Sequence, residues 1–537
     1  MITIHTAATS VCAALVLSAT PAFGQEHEEH PHAALGTVNF PISCTPEAQR
    51  RFNVAAAALY SFYWEAIDAA LAAVLEADPS CAMVYWAKAV ARLENPLGAP
   101  PTPVLEKEGV AAVEKAKQLG GKTQRERDYI AAVDVVYRDY ATVPFQTRAA
   151  AYEKALEQLY RKYPQDSEAA VLYAYWLQVT ADRNDQTFAQ QLKSGRILEK
   201  VFAAQPEHPG AIHFLIHAYD FTAIADRGLE AARQYALIAP DSPHAQHMPS
   251  HIFSRRGQWE ESIQSNIRSR ASSKQDRDAY HALDYLAYAS LQLGRDAEAK
   301  RWVEFVYTAP KPNEETRQIA YACASIPARY ALERGDWAEA AKLELHPTRS
   351  NFGWTPFPEG EAVNAYARGL GAARSGDAEA AKKEIGRLTQ LRKSMVAQKK
   401  DYWVDQTDIQ IDAISAWIAN AEKRHVDAMQ LTRAAADHED GTEKHIMMPG
   451  RIIPVREMLG ELLLALDRPA DALAAFEASQ RTDPKRFRSF FGAAYAAELA
   501  GDRTKARAFY AQLVQQVEGD GSDRVEVRKA KAFLREH

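Results

Sequence analysis

The chain has 537 residues, 47% of them apolar and 25% charged, which is enough for several domains or one extended repeat array. A formal net charge of −6 gives no electrostatic reason to expect nucleic acid or an anionic membrane surface as partner, because phosphate binding needs a concentrated Lys/Arg face. After the first two dozen residues no stretch approaches the roughly 18–20 consecutive apolar residues of a membrane-spanning helix.

The N-terminus, MITIHTAATSVCAALVLSATPAFGQ, has an apolar run from about Ala7 to Ala19, a helix breaker at Pro21, and small Ala22 and Gly24 placed as before a secretory cleavage site. Residues 1–24 are therefore expected to be a signal peptide, with the mature protein periplasmic or secreted, although the run is preceded by His5 and by no Lys or Arg. Residues 25–45 read as a flexible leader. Its QEHEEHPHAALG stretch, with His27, His30 and His32, is either a weak metal trap or a disordered polar segment.

Cys12 leaves with the signal, and Cys44, Cys81 and Cys323 show no CxxC spacing, so a zinc ribbon or thioredoxin-like motif is excluded. In an oxidising compartment Cys44 and Cys81, each opening a helical hairpin, can pair and leave Cys323 buried; three unpaired cysteines are the equal alternative.

From about Pro46 onward the periodicity is helical, with no sustained period-2 alternation, which predicts an all-α protein. Breaks recur as Asp78-Pro79, Tyr163-Pro164, Ala239-Pro240, Gly294-Arg295, Gly335-Asp336, Gly376-Asp377, Asp483-Pro484 and Gly501-Asp502. Along this pattern HFLIHAYD, from His213 to Asp220, and HMPSHIF, from His247 to Phe253, each carry two histidines four apart. Further on, EDGTEKHIMMPGRIIPVRE places Glu443, Lys444, His445, Arg451, Arg456 and Glu457 around a proline- and glycine-broken loop, read either as a solvated connector or as the source of an arginine for an anionic ligand. No GxSxG, P-loop, GxGxxG or HExxH motif is present in a usable context.

The clearest unit is LGELLLALDRPADALAAFEASQRTDP, in which Leu459, Gly460, Ala472, Phe476 and Pro484 fall at the offsets of a tetratricopeptide repeat, which the unit resembles. Small Gly460 and Ala472 let two helices cross closely, Phe476 fills the seam, and Pro484 stops the second helix. Weaker copies near Gly257, Gly294, Gly335, Gly376 and Gly501 extend the array to about eleven or twelve hairpins, one continuous solenoid over residues 46–537. The stretches FPISCTPEAQRRF, ADPSCAMVYWAKAVARLENPLGAPP, HMPSHIF and EKHIMMPGRIIPVREMLGELL also resemble a group of secreted bacterial tetratricopeptide proteins, which implies the same fold and export.

The tetratricopeptide resemblance implies a right-handed α-α superhelix whose first helices line a concave groove, with the second, fifth and ninth repeat positions facing it. Counting back from Gly257 places His244, His247 and His251 there, and counting back from Gly294 places His281, Asp284 and Tyr288. His213 and His217 lie 34 residues before His247 and His251, whereas 34 residues beyond His247 lies His281 and not Asp284, a three-residue ambiguity of about one helical turn. Residues four apart on a helix sit with Cβ atoms about 5–6 Å apart, spaced to chelate one ion. His213, His217, His247, His251 and Asp284 are thus the expected ligands of a transition metal, Zn, Fe, Mn or Cu, within repeats at about 206–293. Asp220, His244, His281 and Tyr288 are expected to orient those ligands or touch a bound molecule. Pro249 is expected to make the second histidine helix irregular.

The equivalent positions elsewhere, Ala322, Ser325 and Arg329, then Val363, Tyr366 and Leu370, then Arg488, Phe491 and Tyr495, lack this pattern, so the polar groups concentrate in adjacent repeats. Two functions are compatible: a scaffold that grips a peptide, protein or small-molecule ligand in its groove, or a metal-dependent hydrolase or oxygen-dependent enzyme with the groove as active site.

Overall fold

Hairpins turn where the sequence interrupts helical periodicity with glycine. Gly257 ends its helix at φ +61°, a conformation that a side chain disfavours, and the next backbone N–H, of Gln258, returns 2.8 Å to the carbonyl of Phe253. The same return bond closes the turns at Arg295, Asp336, Asp377 and Asp502. Close helix crossing has its own signature: a Cβ on Gly460 would stand 2.6 Å from the ring of Phe476, so the buried phenylalanine fills the space the glycine leaves.

The computed structural model describes residues 33–182, 185–518 and 522–536. Among the described residues 26 α-helices and one 3-10 turn follow one another from Pro46 to Glu536, without a strand. Successive helices pack as hairpins, giving the all-α array of helical hairpins that the punctuation predicts. None of these helices is long and apolar enough to cross a membrane. The expected signal peptide and His27, His30 and His32 lie outside the described residues.

Cys44 and Cys81 form a disulfide with Cα atoms 5.5 Å apart, tying the start of the first helix to the third, and Cys323 is free and buried. The last residues of the expected leader depart from flexibility. Leu35, Val38 and Phe40 are buried, and the backbone N–H groups of Ala34 and Thr37 donate to Asp241 Oδ2 and the Glu207 carbonyl at 2.7 and 2.9 Å.

The array packs against itself between repeats distant in sequence. The helix Pro46–Tyr60 packs on Pro209–Tyr219, and Asp276–Gln292 packs on Phe487–Leu499. Residues 443–453, one reading of which was a solvated connector, run through the middle with Lys444, His445, Met447, Met448, Arg451, Ile452 and Ile453 buried. Arg329, fully buried, donates to the carbonyls of Arg451 and Gly450 at 2.7 Å each, and this holds the segment in place. A chain that satisfies its own groove positions in this way buries the polar groups there, and each then needs a partner.

Candidate metal centre

Helix Pro209–Tyr219 carries the first pair of histidines. Pro209 sits in its first turn, and the ring of His208 caps it by accepting from the Ala211 N–H at 3.1 Å. His213 lies one turn in, fully buried, and its Nδ1 is 2.6 Å from the carbonyl oxygen of Tyr60, the last residue of the first helix. Helix ends leave carbonyls without intrahelical partners. This one accepts the His213 Nδ1–H, which leaves Nε2 as a lone pair, and that Nε2 faces His244 Nε2 at 3.1 Å. His217 is buried with no hydrogen-bond partner on either ring nitrogen. A buried imidazole left wholly unsatisfied is uncommon unless something else fills its valence.

Pro249 breaks the next helix into Pro243–His247 and Pro249–Arg255, as expected, and the break leaves the second pair facing each other, His247 Nε2 to His251 Nε2 at 3.0 Å. The outer nitrogens decide what lies between them. Asn266 donates its Nδ2 to the Ser262 carbonyl at 2.7 Å, so its Oδ1, 2.7 Å from His247 Nδ1, can only accept. Asp220 Oδ2, 2.9 Å from His251 Nδ1, is likewise an acceptor. Both Nδ1 atoms therefore carry protons, and two lone pairs point at one another across 3.0 Å.

Asp220 does not convert His251 to an imidazolium, because its charge is already answered. Arg255 Nε and Lys444 Nζ donate to it at 2.9 and 3.3 Å. Burial opposes ionisation of Asp220, but Lys444, Arg255 and His251 overcome this and hold its carboxyl well below the ordinary range. Burial also brings the Lys444 ammonium down to about 8, with Arg255 adding to the effect and Asp220 opposing it. Every histidine of the cluster is shifted the same way. Burial first, and then His251, moves His281 down to about 3, and burial alone accounts for most of the fall to about 3 at His213. His217, His244 and His247 are held well below their ordinary value by burial and neighbouring imidazoles, and His251 is lowered by burial against the pull of Asp220. Neutral imidazoles with free lone pairs are what a metal ion binds.

The six histidines sort into two triads, His213 with His217 and His244, and His247 with His251 and His281, each with ligand atoms within 4.8 Å of one another. Each triad can hold a metal ion. Two nitrogens bound to one tetrahedral ion at about 2.0–2.1 Å stand about 3.3 Å apart, close to the separations seen between the facing Nε2 atoms.

His244 and His281, expected as supporting residues, complete the triads. Asp284, expected as a ligand, is in neither: its Oδ1 accepts from Ser325 Oγ at 2.8 Å and Arg329 Nε at 3.2 Å, one repeat further on. Tyr288 is also turned away, its hydroxyl accepting from Arg486 at 2.8 Å. Asp220 stands directly behind His251.

The sequence reading did not find Tyr60, Asn266 or Tyr285. Tyr285 lies with its ring 4.7 Å from that of His247, and its hydroxyl donates to the Met448 carbonyl at 3.2 Å. Asn266 had a detectable signal. On helix Trp259–Ser272 the buried positions Ser262, Ser265, Asn266 and Ser269 form a polar stripe at the spacing an apolar seam would take.

No protein-family model and no curated protein matches the chain. Several solved structures are similar to it. A human IFIT1 dimer with PPP-AAAA aligns over 86% of this chain and 95% of its own at 12% identity and a TM-score of 0.39. Yeast Tom70 aligns over 91% and 89% at 11% identity and a TM-score of 0.30, and the P58(IPK) TPR domain over 69% and 99% at 14% and 0.22.

Proposed function

We propose that the protein is an exported helical-repeat scaffold that binds transition-metal ions through its histidine triads and presents them to a small ligand. The observation that carries this reading is the pair of lone pairs on His247 and His251 Nε2, 3.0 Å apart, with both outer nitrogens committed to acceptors. A cation between them removes the repulsion. Nitrogen-only donors suit Zn, Cu, Ni or Fe and disfavour Mn, Mg and Ca, which prefer oxygen. Three protein ligands per ion leave a coordination position free, as in sites that bind or transform a ligand and unlike closed structural sites. That favours a metal-dependent hydrolase or oxidoreductase as the second reading. Because residues 443–453 fill the concave face beside the triads, a small molecule fits this site better than a peptide laid along a groove.

Elemental analysis of untagged protein is expected to find metal at near-stoichiometric level, retained through dialysis. His247→Ala and His251→Ala are each expected to lose it from their triad with helical content unchanged by far-UV circular dichroism. Protein that retains no metal after reconstitution, or metal indifferent to both substitutions, would rule the reading out. Chelation is expected to leave the fold intact, because the helical seams do not need the ion.

Export is supported by the apolar run before Ala22 and Gly24 and by the Cys44–Cys81 disulfide, a bond that persists in oxidising compartments. N-terminal sequencing of protein from its native host is expected to begin at Gln25. A start at Met1 or Ile2 would contradict it.

A further inference from the structure

The two triads stand side by side. Between them, the rings of His217 and His251 are 5.9 Å apart and those of His244 and His247 are 6.2 Å apart. Within them, the rings of His217 and His244, and those of His251 and His281, are 6.4 Å apart. Crossing from one triad to the other is therefore no longer a step than crossing either one. The 34-residue offset of His213 and His217 from His247 and His251 explains the closeness, since consecutive repeats stack with helix axes about 8–10 Å apart and carry the same motif on the same face.

Charge points to what else the site takes. All the donors of the two triads are imidazoles, so the ligand set itself brings no negative charge to an ion. Asp220 is shared by His251, Arg255 and Lys444, while Asp284 stands outside both triads and gives one oxygen to Ser325 and Arg329. The charges of buried Lys444 and Arg255 are already taken up by Asp220 and Glu443, so two divalent ions would bring charge that nothing in the ligand set offsets, and uncompensated charge in such a place is strongly disfavoured. The compensation must come from outside. Four of the histidines are buried, while His244 and His281, one in each triad, are part-exposed.

We propose that the triads form one paired-metal centre that takes a small anion, of the size of hydroxide or azide, as a bridge between two ions. This rests on the metal-binding reading above and adds to it both the pairing and the ligand class. A shared anion lowers the charge of both ions at once and occupies the position that each triad leaves free.

The test uses Cu(II) and azide on the full-length protein. About two copper ions are expected per chain, as for a two-metal site, with an electron paramagnetic resonance signal well below the copper content because a bridge couples the two spins. One azide is expected to bind per copper pair, seen as a single optical titration. His244→Ala and His281→Ala, which remove the part-exposed members and spare the buried ones, are each expected to leave about one copper per chain with full signal and azide affinity lowered at least tenfold. Two coppers with full spin count, or azide binding unchanged in both variants, would overturn the pairing and leave the metal reading standing. No copper retained by the unsubstituted protein would overturn both.

Discussion

Replacing Arg486 by alanine is expected to destabilise the protein by about 3–5 kcal/mol, the range for removing one partner of a buried ion cluster. Its guanidinium is wholly buried and donates to Glu333 Oε1 at 2.6 Å, to Glu457 Oε1 at 2.7 Å and to the Tyr288 hydroxyl at 2.8 Å. Without it two buried carboxyl groups face each other with no cation between them, and one of the ties between the last repeats and the middle of the array is lost. Burial already raises the Glu457 carboxyl, with Arg486 opposing. Urea unfolding followed by circular dichroism measures the loss. A triple replacement, Arg486→Met with Glu333→Gln and Glu457→Gln, is expected to recover most of it, since no charge then remains to desolvate. A single variant as stable as the parent would show that the cluster contributes nothing to holding the array closed.

Metal-free protein is expected to lose stability as pH falls below about 6.5, the ordinary value for an exposed histidine. The direction follows from the triads. His213, His217, His244, His247, His251 and His281 all have lowered folded values, so each is neutral in the folded state at pH values where the unfolded chain binds a proton. Stability is fully present above the unfolded value and is drained downward from it, toward the value of about 3 at His213 and His281, at about 1.4 kcal/mol per pH unit for each proton taken up. Glu439, which burial lifts to about 7, and the raised carboxyls of Glu153, Asp278, Asp284, Asp412 and Glu457 act in the opposite sense, while the lowered carboxyls of Asp220, Glu461 and Asp483 act with the histidines. Thermal unfolding at pH 7.5, 6 and 5 with chelator present measures the trend. Bound metal is expected to move the decline to lower pH, because protons must then compete with the ion. A flat profile across that interval would mean that the cluster opens to solvent.

The helical hairpins were legible because each turn is written locally, in a glycine or proline at a helix end. The histidine pairs were legible for a related reason: repetition at 34 residues places like residues on like faces. Asp284 is a different case. It sits one turn from His281, and only the packing of the next repeat, which brings Ser325 and Arg329 to it, separates the two roles. All of these residues had been placed at groove positions, and oppositely charged Asp284 and Arg329 in adjacent repeats satisfy one another before either reaches an ion. Nothing local announced that residues 443–453 are enclosed, although Ile446, Met447, Met448, Ile452 and Ile453 are more apolar than a solvated connector requires. Tyr60 contributes through a backbone carbonyl, and a backbone atom leaves no trace in residue type.

The supports behind the histidines come from far along the chain. The Tyr60 carbonyl that orients His213 is 153 residues upstream of it, and Lys444, which answers Asp220, is 224 residues downstream. Contacts this distant form late, after the intervening loops have closed. A polypeptide emerging N-terminus first has all six histidines of the triads, with Arg255 as a partner for Asp220, well before it has Lys444. The carboxylate behind His251 therefore gains its second cation only in the finished molecule.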